Sequence, residues 1–425
     1  MRVRFITMAL FAAASVGLGG AAATTPAQAQ SASAPDTYVT YWDGVANQAF
    51  TASALTPVEG AVIFAYSGIA VYDSVMAIEG GHQPFAIDVD ASADASPEAA
   101  VVAAAHAILV HYLPAQAATI LDPAYVQSLG TIPDGQAKDD GVATGEEVAA
   151  ILIEQRADDG FRAHVDYIPP DPPIPGVWIP TSQAPPIGTY LPFMRPFSLR
   201  SPDQFRPGGP PPLSSRRWAE DYNEVKEIGS RTSTTRTPEQ TLAARFWGEP
   251  PVQQAHGSFR KFVLDHGLDI ADASRFMAML TVVRADAAIA CFDAKYHYAF
   301  WRPITAIRAG DTDGNDTTVA DPTWLPLLPV TPNHPEYPSA HSCLTPSGAW
   351  VIARFLGTNQ IDYTVPSITG LGDRHYDRVQ DLTYEVGNAR IWGGIHYRTA
   401  VEDGVRLGMK VAHQVLAHHF HSTGG

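Results

Sequence analysis

Lys295, Arg302, Ser339, His341, Arg390 and His396 are the residues whose types and spacing could do chemistry together. Lys295 is followed after six residues by Arg302-Pro303, and Arg390 after five by His396. Between them lies His334-Pro335-Glu336-Tyr337-Pro338-Ser339-Ala340-His341-Ser342. Guanidinium forks and ammonium groups hold tetrahedral oxyanions, and a Ser hydroxyl with a backbone N–H can complete such a cradle. Two histidines supply what chemistry on a held anion needs, a ligand or nucleophile and a general acid–base. The bland alternatives are surface cations paired with carboxylates and histidines satisfied in a core. Trp301, Pro303 and Ile304 around Arg302, and Trp392, Gly393 and Gly394 after Arg390, favour buried charges that need a partner.

Those three blocks, in that order, resemble the type-2 phosphatidic acid phosphatase and vanadium haloperoxidase superfamily, and their flanks resemble its soluble haloperoxidase branch. The resemblance implies that Lys295, Arg302 and Arg390 hold the equatorial oxygens of vanadate or phosphate. Ser339 Oγ and the Ala340 N–H would donate to the same anion. His396 would bind vanadium, or attack phosphorus in a phosphatase, and His341 would be the acid–base. Vanadate is then the expected cofactor, with hydrogen peroxide, a halide and a small organic acceptor as partners. On the halide side the resemblance places Phe292 and His334, and a His at the second position implies bromide and iodide rather than chloride. An imidazole there could bond bound peroxide or titrate near neutral pH. Three residues depart from the family pattern: Ala340 stands for Gly, Ala389 for Ser and Ala400 for Asp. Ala400 matters most, because position i+4 of a helix faces His396, and an Asp there would orient the ring. A backbone carbonyl could do so instead, and Asp403 lies a turn too far.

The elements that must position these residues read as helical. Val58–Glu79, Ala99–Tyr112 after a Ser96-Pro97-Glu98 start, Pro114–Tyr125, a helix capped at Thr144 and running to Asp158, Ser215–Ser230, and one after Thr237-Pro238 follow in order. His256–His266, Ile270–Phe300, Pro346–Leu356, Leu371–Asn388 and Ile395–Phe420 complete the set, while 36–49 is left unassigned. Strand patterning is scarce, so the fold class is all-α, packed helical bundles. Residues 167–214 are dense in proline with aromatics interleaved, which is either a disordered linker or an extended belt packed on helices; the aromatic spacing favours the belt. The expected organisation is a signal peptide at 1–29, an N-terminal helical half at 30–166, the belt at 167–214 and a catalytic helical half at 215–425.

The first residues read as an export signal, with Arg2 and Arg4, an apolar run and Ala27-Gln28-Ala29, and so predict a secreted or periplasmic protein. Cleavage there would take the formal charge from −16 to −18, since both bases and no acid leave. Such an acidic chain argues against nucleic acid and anionic membranes as partners, and makes a local cationic cluster more informative. No further apolar run is expected to span a bilayer; the nearest, Phe276–Phe292, is interrupted by Arg284 and Asp286. Cys291 and Cys343 border the site and could pair, though two small buried thiols is the favoured reading. The acidic loop Asp311–Asp321 resembles a calcium loop superficially, with Gly misplaced and the closing Glu missing. The histidines His413, His418, His419 and His421 read as an exposed helix end. Alternatives for function are a secreted phosphomonoesterase using His396 as nucleophile and an inactive oxyanion-binding homologue.

Overall fold

The structure, a computed structural model, describes residues 38–424. The export signal and cleavage site lie outside the described residues. Among the described residues thirteen α-helices follow one another: α1 Tyr38–Ala52, α2 Pro57–Glu79, α3 Pro97–Tyr112, α4 Asp122–Leu129, α5 Gln136–Arg156, α6 Arg216–Ile228, α7 Pro238–Phe246, α8 Pro251–Asp265, α9 Ile270–Tyr298, α10 Pro303–Arg308, α11 Ala340–Leu356, α12 Val379–Trp392 and α13 Arg398–His418. An antiparallel hairpin, β1 Gln360–Val365 and β2 Arg374–Arg378, precedes α12. The fold is all-α.

Local chemistry sets the helix ends. Ser96 Oγ accepts the Ala99 N–H at 3.1 Å, Thr237 and Gln240 form a reciprocal capping box, and Asp269 accepts the Asp272 N–H at 2.9 Å. Four expectations are corrected. Residues 38–52, left unassigned, are helix α1, whose buried Val39, Trp42, Val45, Ala46, Ala49 and Phe50 keep helical spacing although Asp43 and Asn47 break up the run. Thr144 lies inside α5: its hydroxyl bonds back to Asp140 O at 2.9 Å, and Gly145 allows close packing, since a Cβ there would stand 2.4 Å from Ala100 O on α3. Residues 114–121 wind as a 3₁₀ turn and a short π segment before α4. Part of the helix expected over 371–388 is strand β2, reached through Gly370 and Gly372, both at positive φ.

The 29-residue α9 is the axis of the molecule, buried over most of its length and packed against α2, α11 and α13. It ends where Ala299 turns left-handed and returns its N–H to Lys295 O. Helix α2 is by length and composition able to cross a membrane, which corrects the expectation that no such run follows the signal; most of it is buried against α3, α5 and α9. Residues of the segment 167–214, called the belt below, bond to α9. Asp286 of α9 accepts the Phe197, Ser198 and Leu199 N–H groups at 2.7–3.1 Å, Asp293 pairs with Arg206 at 2.7 Å, and Trp178 is fully buried. The belt also grips the chain before the site: Asn333 donates to Ala184 O at 2.6 Å and accepts the Thr181 N–H at 2.8 Å.

Helix α13 lies directly on the first turns of α11. A Cβ on Gly404 would stand 2.9 Å from Ser339 O, and one on Gly408 would stand 2.1 Å from Cys343 O. Gly408→Ala should therefore force the helices apart and lose about 1–3 kcal/mol in urea melts followed by circular dichroism. Gly208→Ala, at a position with open space around it, should match the wild type.

Candidate functional site

Burial converges on one place. Lys295 at the end of α9, Arg302 before α10, Arg390 in the last turn of α12 and His396 just before α13 are all buried around the loop 334–339. Each cation loses hydration there, which lowers Lys295 to about 8, Arg302 to about 10 and Arg390 to about 9.

Backbone oxygens take up most of their donors. Lys295 Nζ donates to the carbonyls of Pro335 and Glu336 at 2.9 Å and to that of Pro338. Arg302 Nε donates to His334 O and Nη1 to Ile395 O, both at 2.9 Å. Arg390 Nη1 donates to Trp247 O. Lys295 and Arg302 thus stand one layer behind the cavity wall, holding the loop while their charge reaches the site. Arg390, His341, Ala340, His334, Phe292 and His396 are on the wall itself.

Glu336 settles the orientation of His396. Its Oε1 lies 2.8 Å from His396 Nδ1 and accepts the Tyr397 N–H at 2.9 Å. Arg302 Nη1, which can only donate, is 3.2 Å from Nε2. Nε2 is therefore the acceptor nitrogen, Nδ1 carries the proton, and Glu336 receives it. Burial, then Arg302, Lys295 and Arg390, hold the His396 imidazole well below the usual histidine range. Burial raises Glu336 to about 8, against the pull of the Tyr397 N–H, Lys295 and Arg302.

The helix start beside His396 is open. Ser339 is the N-cap residue of α11, yet its hydroxyl makes no capping bond. The first backbone bond there is Cys343 N–H to Ser339 O at 3.0 Å, so the N–H groups of Ala340, His341 and Ser342 precede it. Ser339 Oγ and Arg390 Nε are buried without a hydrogen-bond partner. Orphaned donors at a helix N-terminus, ringed by three cations and one imidazole acceptor, fit a tetrahedral oxyanion. Among the described residues no group of three His, Cys, Asp or Glu could hold a metal cation, and the donor set here selects an anion instead.

The sequence departures become legible. Ala340 is in the first turn of α11 at ordinary helical φ, so the missing Gly costs nothing there. Ala400 is packed in an aromatic cluster with Trp218, Phe300, Trp301 and Tyr397, and its carbonyl accepts the Ser339 N–H at 3.0 Å. Neither a carbonyl nor Asp403 orients the His396 ring: Asp403 accepts the Tyr337 hydroxyl at 2.6 Å. Glu336 was the residue missed. Its signal was present, a carboxylate inside a proline- and aromatic-rich stretch, where a charge needs a buried partner. His334 is also revised: burial, Lys295 and Arg302 hold it well below the histidine range, so it does not titrate near neutral pH. Its Nδ1 is 3.0 Å from Arg302 Nη2, and its ring stands 5.0 Å from that of Phe292. Cys291 and Cys343 are buried free thiols. The loop 311–321 is closed by its own bonds, Asp313 accepting from Trp218 Nε1 at 2.7 Å and Thr318 Oγ1 at 2.8 Å.

Residues 275–425 match the family model of the VCPO second helical-bundle domain. Vanadium chloroperoxidase of Curvularia inaequalis is 23% identical over 371 residues, 67% of this chain, and the chain spans 60% of that protein's length. The structure of a bacterial vanadium-dependent iodoperoxidase superposes with a TM-score of 0.79 at 24% identity, covering 91% of this chain and 97% of that one. A bacterial vanadium-dependent chloroperoxidase superposes at 0.71 with 18% identity, covering 89% and 96%.

Above pH 8, where Glu336 is ionised, removing its charge while keeping its shape should weaken the acceptor nitrogen of His396. Glu336→Gln is expected to lower orthovanadate affinity about 10- to 100-fold in calorimetric titration. The melting profile should stay close to that of the wild type, because a Gln carbonyl can still accept from Nδ1 and from Tyr397.

Proposed function

For a chain that carries the vanadium haloperoxidase fold and its second helical-bundle domain, we propose the activity of a vanadium-dependent haloperoxidase. It would oxidise a halide with hydrogen peroxide and one proton from solvent to hypohalous acid: the halide gives two electrons to the O–O bond, one oxygen leaves with the halogen and that proton as HOX, and the other leaves as water. The observation that carries this reading is the pair of orphaned buried donors, Ser339 Oγ and Arg390 Nε, beside an imidazole whose Nδ1 is already engaged by Glu336. Arg390, Ser339 and the Ala340 N–H would hold vanadate directly, Lys295 and Arg302 would add positive charge from the layer behind, and Nε2 of His396 would be its ligand in place of its contact with Arg302 Nη1. When bound, vanadate supplies a Lewis-acidic centre for peroxide without changing oxidation state.

The remaining work belongs to the protein. His341 lines the cavity one residue into α11, and burial with Arg390 beside it keeps it neutral. As a base it accepts a proton from incoming peroxide, and it returns that proton to the oxygen that leaves as water. Phe292 and His334 form the halide side. The neutral, Arg302-tethered imidazole of His334 cannot supply a positive charge to bind halide, and acts as a hydrogen-bonding wall. Bromide and iodide, the more easily oxidised halides, are therefore favoured over chloride. Export to the periplasm or medium accompanies this reading, from the apolar start of the sequence.

His396→Ala is expected to abolish vanadate binding, whereas His341→Ala should keep binding within a few-fold and lose turnover by about 10²–10⁴-fold. Equal loss of affinity in both variants contradicts these roles. In a halide-resolved assay of the vanadate-loaded protein, bromide and iodide should turn over and chloride should not. His334→Phe should shift that ratio; chloride turnover equal to bromide and unmoved by this substitution rejects the halide assignment. Phosphate release from a phosphomonoester without any bromination would instead favour His396 as a nucleophile on phosphorus.

A further inference from the structure

Two charges interrupt the apolar run of α9, and the fold explains only one of them. Asp286 holds the belt through three backbone N–H groups. Arg284, half-buried, lines the far end of the cavity of about 320 Å³ that opens onto His341, Arg390 and His396. Its one hydrogen bond is from Nη1 to Leu344 O at 3.2 Å, and its guanidinium stands 5.5 Å from the Phe259 ring centroid. Besides burial only Tyr363 acts on it, so among the described residues no carboxylate faces it, and it stays charged at neutral pH. Glu249, the carboxylate on the same wall, is turned to the Ser367–Thr369 backbone and hydroxyls, which donate to it at 2.6–3.1 Å.

The cavity lining that Arg284 shares is largely apolar, with Val252, Phe259, Ile352 and Val365, and its polar groups near the guanidinium are the neutral Tyr363 and His341. Leu344 is one helical turn from His341, so the guanidinium stands about 5 Å further along α11 than the acid–base. Gly348, a turn beyond, lies against the guanidinium: a Cβ there would stand 3.9 Å from Nη1 and 3.5 Å from Leu280 Cδ2, so a larger side chain would press on Arg284. A charged guanidinium facing an apolar chamber without a counter-ion is costly unless a ligand supplies the anion.

We propose that this chamber is an acceptor subsite for an apolar organic acid, its carboxylate forked onto Arg284 and its unsaturated or aromatic body lying along Phe259 and Ile352 toward His341. The subsite deepens the proposed haloperoxidase reading, for which it names the acceptor class. An aromatic acid held there would take the halogen from hypohalous acid: a C–X bond forms, a C–H bond breaks, and that proton leaves with the hydroxide as water.

The test is a calorimetric titration of the vanadate-free, full-length protein with 2-naphthoate and, in parallel, with neutral 2-naphthamide. The wild type should bind the acid more tightly than the amide. Arg284→Gln should lose about 10- to 100-fold of naphthoate affinity and little for the amide, with Arg284→Lys between the two. Gly348→Val, which puts a larger side chain against Arg284, should weaken both ligands. Equal affinity of the folded wild type for acid and amide overturns the proposal, as does naphthoate binding that survives Arg284→Gln and is lost in Arg390→Gln. Because the titration uses no vanadate and no turnover, a protein that binds naphthoate but brominates nothing would retain the subsite and reject the haloperoxidase reading alone.

Discussion

Three buried cations share one buried carboxylate, and much of the molecule is arranged around that imbalance. Lys295, Arg302 and Arg390 lie within the protein, and Glu336 is the acid among them. Burying such charge without compensation costs several kcal/mol per ion. The chain compensates mainly with dipoles. Carbonyls of His334, Pro335, Glu336, Pro338, Ile395 and Trp247 all point at cationic nitrogens. The two prolines of the 334–338 loop suit this arrangement, because a proline offers a carbonyl and no competing N–H. The unspent donors, Ser339 Oγ and Arg390 Nε, are buried without a partner, and Arg390 lines the cavity. An anion resolves the remaining imbalance, so affinity and structural relief have one cause.

The sequence revealed the convergence because the residue types were extreme for their surroundings. Lysine, arginine and histidine embedded among Trp301, Pro303, Trp392 and two glycines are hard to read as surface residues. The long helices were legible for a related reason, since α2, α3 and α9 are apolar nearly all round, and Ser96 marks the start of α3 as Thr237 marks that of α7. What stayed hidden depended on partners distant in the chain. Glu336 reaches His396 across 60 residues, so its own stretch can mark it as a buried acid but cannot name its partner. Strand β2 falls inside the stretch expected as helix because only Tyr376 is buried in it and its neighbours are polar or charged, so no period of two emerges.

Departures from a family pattern acquire meaning only with this packing in view. The position expected to hold an aspartate four residues beyond His396 is filled by Ala400, in the middle of Trp218, Phe300, Trp301 and Tyr397. In this chain the carboxylate that orients the ring is Glu336, in the loop before α11. One acid in place of another keeps the local charge balance, and the aromatic cluster closes over the space released. The same logic distinguishes Asp286 from Arg284 two residues earlier: one is saturated by the belt, the other faces an open chamber.

The belt has a consequence for how the protein comes into being. Its clasp on the site joins Ala184 to Asn333, 149 positions apart, and its anchor joins Arg206 to Asp293 across 87. Closing loops of that size is entropically slow, and contacts between remote segments govern folding rate. On a ribosome the belt emerges well before α9, the 334–338 loop or His396 exists to receive it. It must wait as an extended, proline-stiffened ribbon until the last quarter of the chain has been made. Recovery of oxyanion binding during refolding would thus report the final docking event, later than the appearance of helical signal, and would time the assembly of the whole chain.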